Sequence, residues 1–307
     1  MKVLVGVDGS PGAFDAVSFV GKLLSPESDQ VGLYYAAPEV RVRGRQSSDE
    51  NVLIRARGAL AQAVFDESAA RLPAALRDRV HTIVGTQHPA HGLIVAGEKE
   101  WRADLLVVGA RGIGPIKQLA LGSVSKSVVH SASLPVLVVR PRKKGSDPAL
   151  RVLLSTDGSE AGNHTGEVLS WFTWPDESKA YVISVTESMF AGKVPPWLEQ
   201  QARDADTDAM AQAWIEEHEV DKQTKLDAMR ELIPRLPPIF HGQEPIVTEG
   251  YPSEQVLEAV NRESIDLVAV GARGLKLWER LLMGSTSEKV LSYAPCSVLV
   301  VRHPEKP

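Results

Sequence analysis

Two stretches of this sequence place glycines where a backbone could cradle a phosphate. The first reads Gly109-Ala110-Arg111-Gly112, then nine residues, then Gly122-Ser123. The second reads Gly271-Ala272-Arg273-Gly274, then nine residues, then Gly284-Ser285. The nine intervening residues differ almost entirely, IGPIKQLAL against LKLWERLLM. Glycine positions are kept while their surroundings change. Glycine reaches positive φ and lets a ligand approach the main chain closely. Each Gly-Ser pair precedes a helical stretch, SVSKSVVHSA or STSEKVLSYA. Unbonded N–H groups at a helix start, aided by the helix dipole, bind anions. The hydroxyls of Ser123 and Ser285 can add a hydrogen bond, and Ser125 and Ser287 are weaker candidates of the same kind. The plainer reading is that these glycines only make tight turns and helix caps. The equal spacing in two places argues against it.

Asp8 and Asp157 end a strand in the tripeptide DGS. Each could cap the following helix, or accept hydrogen bonds from a ribose or a base. Ser10 and Ser159 are plausible caps themselves, which leaves the carboxylates freer for a ligand. Other chemistry finds little support. The phosphate loop G-x4-G-K-[ST] is absent. Gly112-Ile113-Gly114 has no equivalent in GARGLK, so a dinucleotide fingerprint is disfavoured. His88 and His91 could share a helix face, but no cysteine or carboxylate cluster joins them, so no metal site is assigned. Cys296 opens an apolar strand and reads as a buried structural thiol. No Ser-His-Asp order suggests itself, and no catalytic residue is assigned.

The elements that must position these residues follow from a repeat. VLVGVDGS at 3–10 returns as VLLSTDGS at 152–159. DLLVVGARG at 104–112 returns as DLVAVGARG at 266–274. LPVLVVRP at 134–141 returns as APCSVLVVRH at 294–303. Asp8 and Asp157 are 149 residues apart, Gly109 and Gly271 are 162 apart, so the second copy carries 13 more residues. The excess falls within 187–235, where the copies are least alike. It is expected to extend a helix on its own domain. Residues 141–150, PRKKGSDPAL, have linker composition. Domains are placed at 1–142 and 150–307, with 143–149 as linker.

Short apolar, β-branched runs closed by turn residues predict strands. They fall at 2–7, 30–36, 79–84, 104–108 and 135–139, then at 151–156, 180–186, 245–249, 266–270 and 297–301. Most are apolar throughout, as strands buried on both faces are. Helical stretches lie between them, notably 10–24, 49–72 and 199–233. The alternation predicts two repeated Rossmann-like α/β domains with parallel sheets. Such sheets bind ligands beyond the carboxyl ends of their strands, where the glycines stand.

Composition sets the remaining bounds. The 307 residues suit about two domains of roughly 150 residues each,. The apolar share of 43% and charged share of 24% are those of a globular chain,. A net charge of −5 disfavours a nucleic-acid face,. No run approaches the roughly 18 apolar residues of a membrane helix. The N-terminus reads as a strand that soon meets Asp8, not as a signal core. The single cysteine excludes an intrachain disulfide, and a cytoplasmic location is expected.

With these blocks in this order, the sequence resembles the universal stress protein family in its tandem-domain form. The resemblance covers nearly the whole chain. It implies five-stranded parallel domains of strand order 3-2-1-4-5, with ATP held by this glycine motif in the nucleotide-binding branch. Both halves keep the motif, so two ATP sites are implied. Asp8 and Asp157 would meet the adenosine moiety. Ala36 and Val185 would line the base pocket through their backbones. Gly109, Gly112, Gly122 and Ser123 would cradle the phosphates, as would Gly271, Gly274, Gly284 and Ser285. Arg111 and Arg273 could face phosphate or solvent. The Mg²⁺ that accompanies the nucleotide finds no nameable protein ligand.

The terminal strands VLVV at 136–139 and 298–301 are strongly apolar, and an uncovered edge of this kind aggregates. An intrachain pseudo-dimer of the two domains, and a further homodimer, are expected. The function expected is a cytoplasmic ATP-binding stress sensor or regulator. The alternatives are a slow ATPase or adenylyl-transfer enzyme at the same sites, and an interaction scaffold whose glycines only make turns.

Overall fold

The computed structural model describes residues 1–37, 47–112, 121–142, 149–186, 205–272 and 283–302. The first half supplies β1 (Lys2–Val7), β2 (Gln30–Ala36), β3 (Val80–Gly85), β4 (Leu105–Gly109) and β5 (Val136–Val139). The second supplies β6 (Arg151–Ser155), β7 (Lys179–Thr186), β8 (Ile246–Glu249), β9 (Leu267–Gly271) and β10 (Ser297–Val301). Between them lie α1 (Pro11–Gly21), α2 (Ser47–Ala70), α3 (Ala74–Arg77), α4 (Pro89–Val95) and α5 (Ser123–Ser131). The second set is α6 (Glu160–Leu169), α7 (Ala205–Leu232), α8 (Pro252–Arg262) and α9 (Ser285–Tyr293).

All ten strands form one sheet, ordered β3-β2-β1-β4-β5-β10-β9-β6-β7-β8. Each half therefore has the order 3-2-1-4-5, with parallel pairing throughout. Every expected strand lies within one residue of its observed bounds. Two of them, β4 and β9, begin one residue late, after an aspartate whose side chain binds the neighbouring strand. Asp104 Oδ2 accepts from Lys2 N at 2.7 Å, and Asp266 Oδ2 accepts from Arg151 N at 3.0 Å. These aspartates pin strand starts, at the end of the sheet away from the glycines. The expected helix 199–233 is observed from Ala205 to Leu232, and 199–204 lie outside the described residues.

The sheet is covered on both faces. Val3, Val5 and Val7 point to a core shared with α1, α2, α6 and α7, through Val17, Phe65, Val168 and Met229. Leu4 points the other way, to a core shared with α4, α5, α8 and α9 through Leu93, Val128, Val256 and Val290. This period of two is what a pleated strand buried on both sides demands. Met229 shows that the lengthened helix of the second half packs on its own domain.

The halves meet through one antiparallel pair. Val136, Leu137 and Val138 of β5 face Val300, Leu299 and Val298 of β10. The two apolar edges cover each other, and the sheet runs unbroken through the junction. Flanking contacts follow the same pseudo-twofold. Thr173 N donates to Leu23 O at 2.9 Å on one face. Glu288 on α9 meets His130 Nε2 at 3.1 Å and Lys126 Nζ at 3.6 Å, both on α5, on the other.

Candidate functional site

The site is assembled at the carboxyl ends of β1, β2 and β4. Beyond β1 the chain turns through Gly9, whose φ of 80° is in the left-handed region. That turn lets Ser10 cap α1, its Oγ accepting from Ala13 N at 3.2 Å. Asp8 is not the cap. Its Oδ1 accepts from Ser10 N at 3.0 Å, which braces the turn. Its Oδ2 lies against Gly112, where a Cβ would overlap it. The second half repeats this arrangement. Gly158 has φ 80°, Ser159 Oγ accepts from Gly162 N at 3.2 Å, and Asp157 Oδ1 accepts from Ser159 N at 3.1 Å.

Gly109 closes β4. A Cβ there would stand 2.5 Å from Gly12 O, and one on Gly12 would stand 2.5 Å from Arg111 O. The start of α1 is thus seated directly on the glycine loop. The far end of that loop is tied back twice. Gly122 N donates to Ala110 O at 2.8 Å, and Ser125 Oγ donates to Gly109 O at 2.7 Å. In the second half Gly284 N donates to Ala272 O at 2.8 Å, and Ser287 Oγ donates to Gly271 O at 2.6 Å. Ser125 and Ser287 are therefore braces of the loop, with their protons already committed.

Gly122 is the N-cap of α5, with φ −65° and ψ 153°, and no side chain caps the helix. Gly284 caps α9 in the same way, at −63° and 148°. The N–H groups of Ser123, Val124 and Ser125 have no acceptor within the helix. They stand at the positive end of its dipole.

These pieces surround a cavity of about 280 Å³. Asp8, Ala36, Gly109, Arg111, Gly112, Gly122, Ser123 and Ser125, the whole set expected of the first half, line it. Tyr34, Pro89, Leu93, Leu121 and Val124 line it as well. Tyr34 was legible in principle, since it lies two residues before Ala36 on the same strand face. Pro89 and Leu93 reach the cavity from α4, which no local spacing indicates.

The cationic groups cluster behind the loop. Arg111 lines the cavity. Arg140, at the end of β5, is 5% exposed. Burial above all pulls its guanidinium below the ordinary value; the Cys296 sulfur opposes this, and the nearby charge of Arg111 adds to it. Burial pushes the Cys296 thiol up to about 12, so it is a structural thiol at neutral pH.

In the second half Asp157, Val185, Gly271, Gly284, Ser285 and Ser287 occupy equivalent places, while Arg273 and Gly274 lie outside the described residues. Asp157 also borders a different cavity of about 480 Å³, between β7, α6 and α7. In the first half Tyr35 packs edge-on against Phe65 at 6.4 Å. Ser184 stands in the second half where Tyr35 stands in the first.

Comparison with known proteins agrees with this organisation. The model of the universal stress protein family matches residues 1–140 and again 150–302. A universal stress protein of Mycolicibacterium smegmatis is 26% identical over 307 residues, 98% of this chain and 96% of that protein. The Bacillus subtilis universal stress protein YxiE is 30% identical over 146 residues, 45% of this chain and 98% of its own. Among solved structures, a universal stress protein from Archaeoglobus fulgidus aligns with a TM-score of 0.66 at 22% identity, covering 99% and 98% of the two chains. That likeness is one of fold. Among the described residues no helix is long and apolar enough to cross a membrane. With both halves matched across nearly its full length, the chain belongs to the universal stress protein family.

Proposed function

We propose that this chain binds ATP in each of its two halves and acts as a cytoplasmic, nucleotide-dependent regulator of the stress response. The observation that carries the reading is the cavity of the first half. One carboxylate, a glycine loop and an uncapped helix start converge on it from three separate elements. In this reading Asp8 Oδ2 meets the adenosine moiety and the backbone at Ala36 meets the base. Gly109, Gly112 and Gly122, with the amides of Ser123 and Val124, hold the phosphates, and Arg111 adds charge from the loop. Asp157, Val185, Gly271, Arg273, Gly274, Gly284 and Ser285 take the same parts in the second half. The cavity lies just below the roughly 300–1,000 Å³ of ligand pockets. It suits the base and ribose, with the triphosphate across the open lip.

The same inventory argues for holding rather than turnover. Among the described residues Asp8 is the one carboxylate that lines the cavity, and one of its oxygens is committed to the turn. Among the described residues no trio of His, Cys, Asp or Glu is grouped to hold a metal. A Mg²⁺ would arrive on the phosphates, as that ion commonly does. Because β5 and β10 are consumed within the chain, a further homodimer would use another surface.

The test is to denature protein purified without added nucleotide and identify what it releases. Adenine nucleotide should appear, and millimolar ATP should raise the melting temperature of emptied protein. Absence of both would overturn the reading. Steady phosphate or pyrophosphate release, well above that of a glycine-loop variant, would favour the slow enzyme instead.

A further inference from the structure

The two halves build one layer between sheet and helix in different ways. In the first half Val7, Tyr35 and Ala37, from the ends of β1 and β2, belong to one apolar core with Ala61, Val64 and Phe65 of α2. The repeat gives each a counterpart. VLVGVDGS and VLLSTDGS align Val7 with Thr156. Parallel register then aligns Tyr35 with Ser184 and Ala37 with Thr186. Arg71-Leu72-Pro73 recurs as Arg235-Leu236-Pro237, and Leu72 and Leu236 are both buried in that core. Counting back along the helices aligns Ala61, Val64 and Phe65 with Lys225, Ala228 and Met229.

Each exchange removes apolar bulk or adds polarity. Thr156, Ser184 and Thr186 are 5%, 2% and 3% exposed, so hydroxyls are buried where the first half buries valine, tyrosine and alanine. Burying a hydroxyl in place of an apolar group lowers stability unless hydrogen bonds offset it. Thr156 Oγ1 accepts from Gly158 N at 3.1 Å, and Thr186 Oγ1 accepts from Lys225 Nζ at 3.1 Å. Ser184 Oγ has no partner in the protein. A Cβ on Gly9 would stand 3.4 Å from Val64, whereas one on Gly158, its counterpart, would meet nothing within 4 Å. The exchanged layer therefore does not improve the core. It borders the cavity of about 480 Å³, a volume within the range of small-molecule sites.

The lining decides what chemistry would fit. Thr156 lines the cavity from the sheet, Asn163 from α6, and Thr224 from α7. One turn further along the same face of α7, Ala228, Met229 and Leu232 give an apolar wall, at the spacing of a helix stripe. Lys225 is committed elsewhere. Its ammonium donates to Asp221 Oδ2 at 3.0 Å, Thr186 Oγ1 at 3.1 Å and Val185 O at 3.4 Å. Among the described lining residues Asp157, Asp221 and Glu231 outnumber Lys225 and Arg235. That balance disfavours a phosphate or carboxylate ligand. Hydroxyl and amide groups both donate and accept. They suit a neutral ligand whose closely spaced groups do the same, with a C–H face to lie on the apolar wall.

We propose that the second half binds a neutral polyhydroxylated ring, a sugar or cyclic polyol, between β6, β7, α6 and α7. The first half, whose equivalent positions are apolar core, lacks this site. Among the described residues nothing from the glycine loop, α8 or α9 lines the cavity. The site therefore stands apart from the proposed nucleotide cradle of the second half and shares only Asp157 with it.

The experiment titrates the full chain with glucose and with myo-inositol, followed by saturation-transfer NMR and calorimetry. At least one should bind, at one equivalent per chain, with a Kd of about 1 mM or tighter. Adding charge to the ring that binds, as glucuronate or myo-inositol 1-phosphate, should weaken binding by about tenfold or more. Ala228→Trp, at an exposed position of α7, should abolish it. Asn163→Ala, exposed on α6, should weaken it about fivefold, and this variant leaves the helix packing untouched. ATP uptake should be the same in Ala228→Trp as in wild type. No saturable binding of either ring would overturn the inference, as would binding that both variants keep in full or tighter binding of the charged analogue. Loss of ATP uptake in Ala228→Trp would assign the cavity to the nucleotide instead and overturn it equally. A wild type that binds a ring but no ATP would overturn only the nucleotide reading.

Discussion

Arg140 and Arg302 occupy equivalent places after the last strand of each half, and each caps a helix of the other half. Arg140 donates to Leu291 O at 3.0 Å, at the carboxyl end of α9. Arg302 donates to Val129 O at 3.0 Å and His130 O at 2.8 Å, at the carboxyl end of α5. A guanidinium at a helix carboxyl end satisfies orphan carbonyls and complements the dipole. The exchange fixes α5 and α9 across the junction of β5 and β10. Both helices carry at their opposite ends the amides proposed to hold phosphate, so the junction and the two glycine loops share their scaffold. Arg140→Met should cost about 1–3 kcal/mol of stability, because it leaves buried carbonyls without donors. Chemical denaturation checks this; an unchanged midpoint would speak against the arginine as a junction anchor.

The glycines of the loop separate into two kinds. Gly109 is needed by the fold, since a Cβ would meet Gly12 O at 2.5 Å. Gly109→Ala should lose about 1–3 kcal/mol through overpacking against backbone. Gly122 is not so constrained. Its φ of −65° suits any residue, and a Cβ would approach Ala110 O only to 3.4 Å. Gly122→Ala should stay within about 1 kcal/mol of wild type, as other N-cap changes do. Thermal melting of the two variants side by side distinguishes them.

Cys296 supplies a pH test. Its thiol is pushed from an ordinary 9.0 up to about 12 by burial. Between those values the unfolded chain ionises first and the folded chain holds its proton. The thiol's contribution is therefore present below about pH 9 and is lost as pH rises toward 12. Cys296→Ala should lessen the fall in stability over that window. Native protein at pH 8 should resist thiol-modifying reagents that label the unfolded chain.

Separating the halves should expose what their junction hides. Val136, Leu137, Val138 and Val139 are each no more than 1% exposed, through pairing with β10 and packing on both faces. A chain of residues 1–142 alone should self-associate through β5, as uncovered apolar edges do. Sedimentation should show a concentration-dependent dimer; a monomer at high micromolar concentration would contradict this.

The repeat made most of the architecture legible. Runs such as LLVVG and VLVV admit one sensible placement, inside a parallel sheet covered on both faces. The glycine spacing marked a strand-to-helix connection for the same reason, since Gly109 ends one strand and Gly122 precedes the next helix. The parts beyond reach depended on distant segments. Nothing local separates Ser10 as the cap from Asp8 as the brace until the turn through Gly9 is seen. Nothing local brings Pro89 and Leu93 from α4 to the cavity that Asp8 borders. The hydrogen bond from Ser125 to Gly109 spans 16 residues, and only the closed loop shows that this hydroxyl is occupied. Tyr34 against Gly85 and Gly92 is a three-way fit that joins two strands and a helix.

The most direct test of two ATP-binding cradles is calorimetric titration of nucleotide-free protein with ATP, in wild type and in Gly122→Val and Gly284→Val variants. The account predicts two equivalents for the wild type, one for each single variant and none for the double. A wild type that takes up no ATP, or single variants that keep the full stoichiometry, would contradict it.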